Sequence, residues 1–141
     1  MLYRSLSVDE TMEIGQTFVK NLQGGVIVSL VGDLGAGKTV FSKGVAMGLG
    51  ISETITSPTF VLSCEYQGTQ YRLLHIDAYR LEGVDVTETG ISDEIGRKDT
   101  ITLIEWAKFL VDVVPDYEVT ISVPTENTQD KNFRQIDIHA F

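Results

Sequence analysis

From Ser7 onward, apolar side chains return at intervals of three and four, at Val8, Met12, Phe18, Val19 and Leu22, with Gly15 in the same stripe. That spacing predicts an amphipathic helix. Ser7 followed three residues later by Glu10 is the pattern of a capping box at its start, and Gly24-Gly25 stops it. The pattern then changes. Val26 to Val31 is a short, almost unbroken apolar run, as expected of a strand buried on both faces. Thr39 to Leu49 reads as the next helix, closed by Gly50. "TFVLSCEY" (59–66) and "QYRLLHID" (70–77) predict two strands joined by a hairpin turn at Gly68-Thr69. Residues 83–99 are polar and glycine-punctuated, a loop with one short helix. "TITLIEW" (100–106) is another buried strand, followed by a short helical segment around Lys108 to Val113 that stops at Pro115. "YEVTISV" (117–123) and "FRQIDIHA" (133–140) alternate around a polar turn and predict a second hairpin. One mixed sheet with helices packed on it follows.

Composition narrows the class. A chain of 141 residues that is 43% hydrophobic and 22% charged reads as one folded domain rather than a disordered or fibrous protein. No apolar run approaches the roughly 20 residues that cross a bilayer. "MLYRSLSVDETM" has no basic flank leading into an apolar stretch, so neither a membrane span nor a secretory signal is expected. Cys64 is the sole cysteine, which fits a reducing, cytoplasmic setting and leaves no cysteine cluster for zinc. The net charge is −9, from 20 acidic and 11 basic residues, with the basic ones scattered. Such a chain lacks the electrostatic footprint of a protein that grips nucleic acid unaided.

The strongest local signal is Gly32-Asp33-Leu34-Gly35-Ala36-Gly37-Lys38-Thr39, a match to G-x-x-x-x-G-K-[ST] between an apolar strand and a helix. Glycines let the backbone turn its N–H groups inward on phosphate oxygens, and the helix start adds its positive end. Lys38 is placed to reach the β- and γ-phosphates, and the Thr39 hydroxyl to ligate Mg²⁺. The expected fold class is therefore α/β, a P-loop NTPase-like three-layer fold. Its mixed central sheet includes antiparallel hairpins and carries helices on both faces, in a single P-loop ATPase domain over residues 1–141.

Phosphoryl chemistry also needs a carboxylate at the end of a buried strand. Two are available, Asp77 closing "LLHID" and Glu105 closing "ITLIE". Which of them meets a metal ion is left open by the residues themselves. His75 lies two positions before Asp77, on the same strand face, and reads as a structural histidine rather than a ligand. Trp106 reads equally as core or as a platform beside the site. "TSPTF" (56–60) reads equally as a γ-phosphate-sensing switch or as a turn into a strand.

A guanine-reading N-K-x-D is missing. "NTQD" (127–130) lacks the lysine and "DEIG" (93–96) follows a loop, so ATP is the expected nucleotide. Five arginines spread from Arg4 to Arg134 leave little for the lid of a small-molecule kinase. A kinase and an autonomous nucleotide-gated binding module are the alternatives to an ATPase serving a larger complex.

"GDLGAGKT", "SPTF", "HIDAYR" and "IEWA", in this order and at these spacings, resemble the bacterial TsaE (YjeE) ATPases over nearly the whole chain. The resemblance implies a nucleotide site at Gly35, Ala36, Gly37, Lys38, Thr39 and Val40, with Thr11 near the base. It implies magnesium ligands at Thr39 and Glu105, and catalytic roles for Asp77, Glu105 and Lys38. It also implies a switch and partner-sensing segment at Ser57, Pro58, Thr59 and Phe60 together with Trp106. Basic residues of the last hairpin, Lys131 or Arg134, would then lie near the adenine. The cofactors implied are ATP and Mg²⁺, and the partners are the TsaD and TsaB subunits, which hold the tRNA. The implied task is threonylcarbamoylation of adenosine 37 in tRNAs reading ANN codons. The group transfer belongs to the partners and ATP hydrolysis resets their assembly.

Overall fold

A computed structural model of the chain describes residues 1–33, 35–58, 62–83, 90–110, 112–124 and 133–141. Thr59, Phe60 and Lys131, singled out above, lie outside the described residues. The elements are β1 (Leu2–Ser5), α1 (Val8–Lys20), β2 (Ile27–Val31), α2 (Lys38–Gly48), β3 (Ser63–Gln67), β4 (Arg72–Asp77), β5 (Thr100–Glu105), β6 (Tyr117–Ser122) and β7 (Arg134–Ala140). Short 3₁₀ helices occupy Ala78–Leu81, Ile91–Asp93 and Ala107–Phe109.

The seven strands form one sheet in the order β1-β7-β6-β2-β5-β4-β3. Its centre is parallel, with β2 between β5 and β6 and β4 on the far side of β5. Antiparallel pairings extend it on both sides, β3 on β4 at one end and β7 on β6 at the other. The centre explains the unbroken apolar runs. All six residues of β5 are buried, because a parallel strand is covered on both faces.

The strands separate two cores. Leu30, Leu73, Ile101, Leu103 and Val119 meet Phe41, Val45 and Val19 of the two α-helices. Leu74, Ile76 and Ile104 meet Ala78, Leu81, Ile91, Ala107 and Leu110 on the opposite face. Helices thus lie on both faces but differ in kind: two α-helices on one, 3₁₀ turns and connections on the other. Successive strand residues alternate faces. His75 and Asp77 therefore follow Leu73, and Glu105 follows Leu103, toward the side of α2.

The predicted caps form, with one shift. Ser7 Oγ accepts from Glu10 N at 3.1 Å, while Glu10 Oε2 reaches back to Leu6 N at 2.6 Å rather than to Ser7 itself. At the other end of α2, Gly50 at φ 75° completes a Schellman turn. Gly50 N–H donates to Met47 O at 3.1 Å and Ile51 N–H to Ala46 O at 3.0 Å. The two α-helices touch backbone to backbone, since a Cβ added at Gly15 would sit 2.5 Å from Phe41 O and one at Gly44 would collide with Met12 O. This is why Gly15 belongs to the apolar stripe.

Three local expectations change. β1 was not evident in the sequence. It has four residues, three of them exposed, and exists by pairing with β7 from Leu2↔Asp137 to Ser5↔Arg134. The helical segment expected at Lys108 to Val113 is a single 3₁₀ turn at Ala107–Phe109, closed by Leu110 N–H donating to Ala107 O at 2.9 Å. Of the strand expected over 59–66, residues 59–61 lie outside the described residues and β3 begins at Ser63, after Leu62 with its left-handed φ of 58°.

Candidate functional site

The loop leaving β2 passes close under β6: a Cβ at Gly32 would lie 2.7 Å from Ile121 O, so only glycine fits. The chain then turns through Gly35 and Gly37, the latter at φ 111° as the N-cap of α2. Among the described residues no side chain caps α2, and no acidic residue occupies its first turn, whereas α1 has Ser7, Asp9 and Glu10 there. An uncapped helix start with its positive end uncompensated suits an incoming anion.

An arginine from β7, two strands away from β2, bonds to the loop. Arg134 Nε donates to Ala36 O at 2.8 Å, and a terminal guanidinium nitrogen lies 3.4 Å from Gly35 O. Within a trans peptide the C=O and N–H point in opposite directions. Tying the Ala36 carbonyl to Arg134 therefore turns the Gly37 N–H away from that side chain. The family resemblance implied that Arg134 lies near the base; besides Phe133 O, which a terminal nitrogen reaches at 2.9 Å, its described acceptors include these two loop carbonyls. No local signal marks this, as 98 residues separate the partners.

Lys38 opens α2 and turns its ammonium to the acid at the end of β5. Lys38 Nζ is 3.3 Å from Glu105 Oε1, with both side chains largely buried. His75 Nε2 is 3.0 Å from Glu105 Oε2. Burial alone would raise the Glu105 pKa, but the His75 hydrogen bond and the charges of His75 and Lys38 outweigh it and hold the carboxyl below its ordinary value. Asp77 stands beside it, in register with Glu105 across the β4–β5 pair, and its Oδ1 accepts from Tyr79 N at 3.0 Å as the cap of a 3₁₀ turn. The structure thus gathers Lys38, Asp77 and Glu105 at one edge of the sheet. Thr39 and Val40 follow on the first turn of α2, both partly exposed.

The two acids are each followed or flanked by unusual backbone. Among the described residues, Leu62 and Trp106 are the non-glycine residues with positive φ, 58° and 61°. Leu62 O accepts the Asp77 N–H at 2.9 Å, and Trp106 directly follows Glu105. Left-handed conformations at such residues are uncommon and concentrate at functional sites.

Trp106 is a platform rather than core. It is 38% exposed, stacks on Phe109 with the ring planes 8° apart, and meets Tyr79 edge-on. Lys108 Nζ lies 5.1 Å from its ring centroid and Lys38 Nζ 6.0 Å. Trp106 and Lys38 together line a cleft of about 830 Å³.

Thr11 is buried on α1, its hydroxyl 2.7 Å from Ser5 Oγ. Ser57 is exposed and Pro58 buried. His75 is fully buried, and its tie to Glu105 was not foreseen; the one available signal was its place on the same strand face as Asp77.

No described helix is long and apolar enough to cross a membrane. The sheet order, the glycine loop and the helix it opens define a P-loop protein of the α/β class. A family model described as threonylcarbamoyl adenosine biosynthesis protein TsaE matches residues 5–136. A Treponema pallidum protein named tRNA threonylcarbamoyladenosine biosynthesis protein TsaE is 42% identical over 120 residues, 84% of this chain and 87% of the relative. The Bacillus subtilis protein of that name is 36% identical over 121 residues, 86% of this chain and 75% of the relative. The crystal structure of Bacillus subtilis YdiB superposes with a TM-score of 0.78 at 30% identity, covering 99% of this chain and 84% of that one. The chain belongs to the TsaE family.

Proposed function

We propose that this chain is a single P-loop ATPase domain serving tRNA threonylcarbamoylation at adenosine 37. In this reading its hydrolysis of ATP resets a TsaD–TsaB assembly that performs the transfer and holds the tRNA. The observation that carries the reading is the contact of Lys38 with Glu105 at the mouth of an uncapped helix start, within a chain of the TsaE family.

The residues fit magnesium. Glu105 is held ionised and the Thr39 hydroxyl is one residue beyond Lys38. Among the described residues no group of three or more His, Cys, Asp or Glu is placed to hold a metal. That agrees with an ion that takes most of its ligands from phosphate and water. Bound by Thr39 and Glu105, Mg²⁺ would neutralise charge building on the β- and γ-phosphates.

The chain's own groups do the rest. The Gly35 to Thr39 backbone binds the phosphates, and Lys38 leaves Glu105 for the β- and γ-oxygens. Asp77, beside Glu105, orients the attacking water. Ser57 to Phe60 sense the γ-phosphate, and Trp106 carries that state to the partner surface. Thr11 and the last hairpin lie toward the base. Alone, the chain turns over slowly, because the site stays open to solvent through the cleft.

Phosphate release from ATP by the purified chain, alone and then with TsaD and TsaB, tests this. Strong stimulation by the partners, with GTP a poor substitute, is expected. Equal turnover with and without them would point instead to an autonomous phosphotransferase.

A further inference from the structure

The buried histidine on β4 is not used by that mechanism, yet it touches its central acid. His75 is 0% exposed, flanked along β4 by Leu73, Leu74 and Ile76, where an aliphatic side chain would pack without an imidazole's desolvation cost. Its Nε2 lies 3.0 Å from Glu105 Oε2, and its Nδ1 has no hydrogen-bond partner among the described residues. An ionised carboxylate only accepts, so Nε2 is the donor, and among the described residues this bond is the ring's one polar contact.

We infer that His75 is a positioning residue: it ties Oε2 of Glu105 so that Oε1, the oxygen now paired with Lys38, is the one presented to a cation once phosphate draws Lys38 away. The inference rests on the phosphate and magnesium reading above. Glutamate has three side-chain torsions, and losing Lys38 would leave it several rotamers. With Oε2 held, Glu105 keeps one orientation through the exchange. Imidazole and carboxylate come from neighbouring parallel strands, where Leu103 opposes His75 and Glu105 opposes Asp77. The geometry is therefore set by the sheet and not by a loop. Groups that orient a ligating carboxylate in this way typically change metal affinity or activity about 10- to 100-fold when removed.

The test is binding of a fluorescent ATP analogue to the full chain, measured without metal and then across a Mg²⁺ titration. His75→Leu should raise the half-saturating Mg²⁺ concentration about tenfold or more and leave metal-free binding unchanged. His75→Gln, whose amide nitrogen can reach the Nε2 position, should return it toward wild type. A stable His75→Leu with an unaltered Mg²⁺ requirement would overturn the inference. So would a loss of binding that is equal with and without metal and is not rescued by glutamine. If the leucine variant does not fold, His75→Asn and His75→Gln make the same comparison, since asparagine falls short of Glu105. Equal Mg²⁺ requirements in those two would also overturn it. A wild-type chain that takes up no nucleotide overturns the phosphate reading and this one with it. Uptake by wild type with no effect of the leucine variant sinks this inference alone.

Discussion

Lys38 and Glu105 neutralise each other across 3.3 Å, with side chains 15% and 9% exposed. A phosphate entering the loop must compete with that carboxylate for the ammonium. In the proposed mechanism Glu105 is thus an obstacle to nucleotide without metal and a ligand with Mg²⁺. Glu105→Gln should therefore raise metal-free ATP affinity about fivefold, the equivalent of about 1 kcal/mol for a partly buried pair. The same variant should lose hydrolysis at ordinary Mg²⁺. Calorimetric titration with a chelator present, paired with a phosphate-release assay, separates the two effects. Turnover that persists in the variant would show that Glu105 is not the metal ligand.

Lys38→Ala removes the charged donor of the loop. Hydrogen bonds to charged groups contribute about 1.5–3 kcal/mol each, so nucleotide affinity should fall at least about tenfold. Wild-type affinity in this variant would mean that the loop does not hold phosphate.

The Glu105 carboxyl sits below its ordinary pKa of 4.5, its burial being outweighed by His75 and Lys38. The sign follows from linkage. A depressed carboxyl contributes stability that is fully present above its unfolded pKa and is lost as pH falls through the lower folded value. Urea midpoints between pH 7 and pH 3 should therefore fall more steeply for wild type than for Glu105→Gln, with the curves diverging below about pH 4.5. Parallel curves would remove Glu105 from the acid limb.

Arg134 acts on the loop through backbone carbonyls. Arg134→Met keeps much of the stem and deletes the donors to Ala36 and Gly35. Nucleotide affinity should drop about tenfold, matching one or two bonds of about 1 kcal/mol each, with at most a small change in melting temperature. Unchanged affinity would reduce Arg134 to a bystander of the loop.

Trp106 holds a left-handed φ of 61°. That conformation disfavours any residue with a Cβ by about 1–2 kcal/mol, and glycine escapes it. Trp106→Gly should therefore be about 1 kcal/mol more stable than Trp106→Ala in urea unfolding, the reverse of the order in a regular helix. Both variants should fold, because the ring stacks on Phe109 at the surface. If alanine matched or exceeded glycine, the backbone at this residue would not be strained.

Much of this protein was legible one segment at a time. Apolar runs identified β2 and β5 because strands covered on both faces need no polar side, and β4 was read from its hairpin turn. The loop from Gly32 to Thr39 and the stop at Gly50 are turn chemistry, decided by which residues tolerate positive φ. Asp77 and Glu105 announced themselves by ending apolar strands, and four ordered motifs pointed to the TsaE family.

What remained was decided by pairings that no short window contains. β1 exists because Leu2–Ser5 meets β7 more than a hundred residues later, and an exposed edge strand has no apolar alternation to betray it. His75 meets Glu105 because the sheet sets β4 beside β5, and Arg134 meets the loop because β7 brings it there. The left-handed Trp106 is the same kind of case, since a bulky residue takes that backbone only when its surroundings hold it there. Propensity and periodicity act over neighbouring residues, so they name the elements and the reactive groups. Which groups touch depends on strand order, and that follows only from the closing of the whole sheet.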